Sequence, residues 1–229
     1  MDSDTGLRAD IIRAITQKSN LGQKVFDNTF AALTLVKEIL HEMDSELDDE
    51  LDGKIDERVR IEYRDRGKFE AQIQIASDIL IFSMQTSVFN FPANHPVRGT
   101  SHASEDKDNT YCGIINIYNF LSDSFKYNRI SDEGYLIGRI FVNRNGFIFT
   151  EGSRRLPFGV DGFGLTTLGK QTIGAVVEAA IECALDFDAL IPPYEISKTV
   201  TVEQFNTRFE SSKTQTGKRL GYGFDKDEI

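Results

Sequence analysis

Between residues 58 and 75 the chain alternates polar and apolar residues twice over. Arg58-Val59-Arg60-Ile61-Glu62-Tyr63-Arg64 alternates strictly, Asp65-Arg66-Gly67 interrupts the pattern, and Phe69, Ala71, Ile73 and Ile75 resume it. Successive side chains of a strand point to opposite faces, so this stretch predicts a β-hairpin with a short Gly-containing turn, one face wet and one dry. Ala76-Ser77-Asp78 reads as a second turn, and residues 79–84 are apolar on both faces, as a central strand is. The three strands form a meander whose dry face has to be covered by something else in the chain.

Helical periodicity supplies the cover. Leu7, Ile11, Ile12 and Ile15 recur at steps of three and four before Ser19-Asn20, which predicts a short helix followed by a break. Val25, Phe26, Phe30, Leu33, Val36, Leu40 and Met43 make a second, stronger apolar stripe. A third lies over residues 168–190, with Ile173, Val177, Ala180, Ile181, Ala184 and Leu185, stopped by Pro192-Pro193. Residues 113–127 fit a helix through Ile114, Ile117, Tyr118, Leu121 and Phe125, although the β-branched start Ile114-Ile115-Asn116-Ile117 would also suit a strand; the helix is the preferred reading. Residues 135–142 and 147–150 flank Asn145-Gly146, whose positive φ angles suit a tight hairpin turn. The segment 90–110, with Pro92, Pro96 and Gly99, is too long and unpatterned for a simple connection, a trait of functional or disordered loops.

The expected architecture is α+β, an antiparallel sheet of about five strands packed with helices on one face in two layers. Residues 1–19 are expected as a short helical extension, 20–203 as a single domain and 204–229 as a flexible polar tail. The order of elements resembles that of type III secretion chaperones and their relatives. That likeness lies in element order alone, without a shared motif, and it implies an acidic dimer that binds other proteins.

Charge narrows the partners. Lys and Arg total 26 against 36 Asp and Glu, for a net charge of −10. Residues 42–57 hold nine of those acids and one base, Lys54, so a net −8 sits in sixteen residues and the remainder is close to neutral. The acidic run is expected as a solvated linker. The overall field opposes approach to a polyanion, which argues against a duplex nucleic acid partner and leaves small anions open. No run approaches the ~20 apolar residues of a membrane span. The first six residues lack the basic and apolar regions of a secretory signal, and two distant cysteines, Cys112 and Cys183, suit a reducing compartment, so a cytoplasmic location is expected.

Several short motifs invite chemistry. Gly164-Leu165-Thr166-Thr167-Leu168-Gly169-Lys170 matches a phosphate-cradling loop up to the magnesium-ligating position, where Gln171 stands, and no strand precedes it; it reads as a loop capping the last helix. Asp48-Asp49-Glu50-Leu51-Asp52-Gly53-Lys54-Ile55 resembles the first part of a calcium loop, but Val59 occupies the place of the bidentate Glu. His95, His102 and Cys112 match no zinc spacing, and Cys112 with His102 as base would need an orienting third group. Cys183 reads as a small core residue. No metal, cofactor or catalytic set is therefore assigned. The remaining candidates are cations in irregular segments: Arg98, His102 and Lys107 in the long loop, and Arg154 and Arg155 after the hairpin, which would form an anion pocket if the sheet brought both loops to one edge. The functional expectation is a non-catalytic interaction domain that self-associates or binds a partner protein. The alternative is a small-anion or nucleotide-binding sensor or enzyme using that pocket.

Overall fold

A computed structural model describes residues 2–56, 59–130 and 132–186. The fold is α+β in two layers, an antiparallel sheet with two long helices on one face. Helix α1 spans Asp2–Leu51. The strands are β1 (Ile61–Asp65), β2 (Glu70–Ile75), β3 (Asp78–Met84), the two-residue β4 (Phe89–Asn90), β5 (Tyr111–Leu121), β6 (Tyr135–Asn143) and β7 (Ile148–Gly152). Short helices α2 (Ser101–Glu105) and α3 (Ser122–Lys126) lie in the connections, and α4 spans Lys170–Leu185. Strand order is β1-β2-β3-β5-β6-β7, with β4 pairing β5 in line with β3. Among the described residues no helix is long and apolar enough to cross a membrane. The proline stop at 192–193 and the tail at 204–229 lie outside the described residues.

The alternation that predicts the meander places its residues as expected. Ala71, Ile73 and Ile75 of β2 and Leu80, Phe82 and Met84 of β3 turn inward and join Ile115, Ile117, Ile140, Val142 and Ile148 in the main core. Helix α1 adds Ala32, Leu33, Val36, Ile39 and Leu40, and α4 adds Ile173, Val176, Val177, Ala180, Ile181 and Ala184. The helices also touch each other; Lys170 on α4 pairs with Glu42 on α1 at 2.6 Å. Strand β7 is no free edge, because the Ile148 N–H donates to Thr166 O and the Thr150 N–H to Phe158 O.

The structure corrects three expectations. The sheet has seven strands among the described residues, not about five, because residues 111–121 form a strand and β4 adds a short one. Of the expected helix at 113–127 only Ser122–Lys126, α3, is helical; the helical spacing before it arises from apolar residues on both faces of a central strand, where alternation disappears. With a strand in place of most of that helix, the element order behind the likeness to secretion chaperones is not the order of this fold. Helix α1 also runs unbroken through Ser19-Asn20 and on through most of the acidic run to Leu51. Ser and Asn cost a helix only tenths of a kcal/mol, and Glu is a good helix former, so neither feature is a barrier without proline. At about 1.5 Å per residue, its 50 residues span roughly 75 Å.

Candidate functional site

The outer face of the sheet, opposite α1 and α4, is divided in two. Over β5, β6 and β7 it is covered by the segments 91–110 and 153–167, which bury Val97, Cys112, Phe141, Phe149 and Phe163 in a second, aromatic-rich core. The long segment is folded here rather than loose. His95, Thr100 and Asp106 each cap a short helical turn with their side chains, accepting from the N–H of Val97, Ala103 and Asp108.

His102 sits inside this cover, 7% exposed, with its ring edge-on to Phe147 and Phe163. Its Nε2 lies 2.9 Å from Asn143 Nδ2, and Asn109 Nδ2 donates to its backbone carbonyl at 2.9 Å. Gly164 has φ +91°, and a Cβ there would stand 2.4 Å from His102 Cβ. The glycine of the phosphate-loop-like motif thus makes room for His102, while the motif's Lys170 is engaged with Glu42. Cys112 lies fully buried, and burial pushes its thiol well up from the ordinary range, the reverse of what an activated thiolate requires. Among the described residues no group of three or more His, Cys, Asp or Glu gathers to hold a metal.

The other predicted cations are distributed as follows. Arg98 turns back into its own segment, donating to Asn90 Oδ1 at 2.9 Å and Phe91 O at 2.6 Å. Lys107 is exposed in the turn after α2. Arg154 and Arg155 follow β7 at the far end of the hairpin from His102; four steps of ~3.4 Å separate Ile148 from Gly152, the two ends of β7, by about 14 Å. Arg155 pairs with Asp186 at the end of α4. His102 and Lys107 therefore belong to one end of the β6–β7 hairpin, and Arg154 and Arg155 to the other.

Over β1 and β2 the outer face is open among the described residues. A trough of about 470 Å³ runs there, lined by Arg60 just before β1, Glu62 and Arg64 of β1, Arg66 of the turn, Gln72 and Gln74 of β2, and Phe125 and Lys126 of α3. Arg64 holds Glu62 with a two-pronged contact at 2.8 and 2.9 Å, and that hydrogen bonding keeps the Glu62 carboxyl below its ordinary value. Sequence reasoning read these residues only as a wet strand face. The missed signal is that Arg60, Glu62 and Arg64 share one parity, which brings two guanidinium groups to one side of extended chain.

The second exposed feature is the first part of α1. Residues 8–20 are all exposed, and burial begins only at Leu21. Ile11, Ile12 and Ile15 are 50%, 58% and 60% exposed. Stepping back from buried Val25 by three and four residues in turn gives Gly22, Lys18, Ile15 and Ile11, so Ile11 and Ile15 lie on the face that farther along meets the sheet.

Comparison of this chain with protein-family models, with curated proteins and with solved structures finds no match.

Proposed function

We propose that this protein is a non-catalytic interaction domain that self-associates through the first part of α1. The observation that carries the reading is the continuation of the core-facing stripe of α1, through Ile15 and Ile11, onto a stretch that its own sheet does not cover. A helix extension of this length is marginal in water on its own, and amphipathic helices gain their stability from the packing of the apolar face. A second copy offers the same stripe, and two-fold pairing closes the surface with no other component. Fully burying an exposed isoleucine is worth ~2 kcal/mol, so covering the half-exposed Ile11 and Ile15 of each copy offsets part of the cost of association.

Light scattering across micromolar concentrations is the test. Twice the chain mass is expected for the natural protein, and the chain mass for Ile11→Glu/Ile15→Glu, with near-ultraviolet circular dichroism unchanged because the buried core is untouched. A natural protein that stays monomeric throughout the range would remove the basis of this reading.

A further inference from the structure

The open trough over β1 and β2 has a composition opposite to that of the chain. Four cations, Arg60, Arg64, Arg66 and Lys126, face two carboxylates, Glu62 and Asp123, in a protein of net charge −10. They come from three separate pieces of structure, β1 with the residue that leads into it, the turn after it and helix α3, so their convergence is a property of the fold. Two of the arginines are pre-positioned. Arg66 donates to Gln72 Oε1 at 2.6 Å, Gln72 being only 4% exposed, and the Arg66 guanidinium lies 5.4 Å from the centre of the Phe125 ring. The fork of Arg64 already holds an oxyanion, the carboxylate of Glu62. Arg60 is exposed, acts on Glu62 only through space, and has no hydrogen-bonded partner for its guanidinium among the described residues. Apolar surface is present beside the charges from the half-exposed Phe125, whose ring also packs edge-on against Phe120, whereas Ile79 in the trough wall is only 3% exposed.

Taken together, the geometry points to a binding site for a small organic phosphate or carboxylate, with its anionic head at Arg60 and Arg64 and its apolar body against Phe125. Planar guanidinium groups match the oxygens of such a head, and the size of the trough falls within the usual range for small-molecule sites. The ligand class is the one composition left open, held by residues other than Arg98, His102, Lys107, Arg154 and Arg155. The site is independent of self-association, because none of its residues belongs to α1.

Isothermal titration of the full chain at low ionic strength, with phenyl phosphate as probe and inorganic phosphate as the head alone, tests the site. Saturable binding of phenyl phosphate is expected, weaker binding of inorganic phosphate, and a loss of affinity of at least about tenfold in Arg60→Gln/Arg64→Gln, since a charge-assisted hydrogen bond is worth roughly 1.5–3 kcal/mol. Lys126→Gln, on a different element, is expected to weaken both probes, and Phe125→Ala to weaken phenyl phosphate alone. Arg154→Gln/Arg155→Gln is expected to bind as the natural protein does. Absence of saturable binding by either anion, or affinity unaltered in Arg60→Gln/Arg64→Gln with its circular dichroism intact, overturns the proposal. Equal affinity for the two probes overturns the role of Phe125.

Discussion

The two halves of α1 carry one stripe and meet two different surroundings. From Val25 onward the stripe lies against the sheet, and Val25, Thr29, Ala32, Leu33, Val36 and Leu40 are wholly buried. Over residues 8–20 the same face stands in water with Ile11 and Ile15 on it. Periodicity states that a face needs cover and is silent on what provides it. In one half the cover is the chain's own β-sheet; in the other, on the proposed reading, it is a second copy.

The sharpest way to break this comparison is to remove side chains of similar size from each half. Leu33→Ala leaves a cavity between α1 and the sheet and is expected to cost about 3 kcal/mol, read from the urea midpoint. Ile15→Ala, measured at concentrations low enough to keep the protein monomeric, is expected to cost less than about 0.5 kcal/mol, as surface changes do. Equal losses would mean that the two halves are equally covered.

Glycines sharpen it further, in opposite directions. Gly113 on β5 lets α1 approach closely: a Cβ there would stand 2.1 Å from Thr29 Oγ1, which is itself tied to Val25 O at 2.6 Å. Gly113→Ala must push helix and sheet apart and is expected to cost about 1–3 kcal/mol. Gly22, at the boundary of the exposed half, has open space around the position of a Cβ. Gly22→Ala is expected to stabilise the protein by roughly 0.5–1 kcal/mol, because alanine loses less backbone freedom on entering a helix. Thermal unfolding of the two variants side by side reads both signs. A destabilising Gly22→Ala would place something against that face of the helix.

Legibility of the fold followed the environment of each segment. Strands β1 and β2 and helix α4 were readable because each has one wetter and one drier face, so polarity reports the period, whereas the β6–β7 hairpin, covered on both faces, was marked by its Asn145-Gly146 turn. Strand β5 was not, since Ile115 and Ile117 face the helices while Ile114 and Cys112 face the aromatic cover, and no polar face remains to mark its period. The unbroken α1 was missed because Ser19-Asn20 resembles a cap, yet a cap forms only where the backbone leaves the helix. His102 was picked out for its chemistry and is held by Asn143 and two phenylalanines that lie far from it in sequence. The trough was half readable: β1 announces its arginines, but the approach of α3, with Phe125 and Lys126, depends on pairing between β3 and β5 that no local pattern encodes.

The smallest expected effect concerns charge on the two halves of α1. In the covered half, Lys37 Nζ reaches from the helix to β1, donating to Asp65 Oδ1 at 2.8 Å and to Gly67 O at 2.6 Å. That ammonium, with the Gly67 N–H, holds the Asp65 carboxyl below its ordinary value. A carboxyl depressed in the folded state contributes stability that is complete above its unfolded value, near 4, and is lost as pH falls through the lower folded value. In the exposed half, Arg13 and Asp10 sit 3.5 Å apart within one helix, both facing water. Lys37→Met is therefore expected to flatten slightly the fall in melting temperature between pH 5 and pH 3, and Arg13→Met to leave that slope unchanged. The difference is to be read at low salt, where surface pairs are least screened, as melting temperature against pH for both variants. A change of slope in Arg13→Met equal to that in Lys37→Met would show that the sheet adds nothing to the pair it completes.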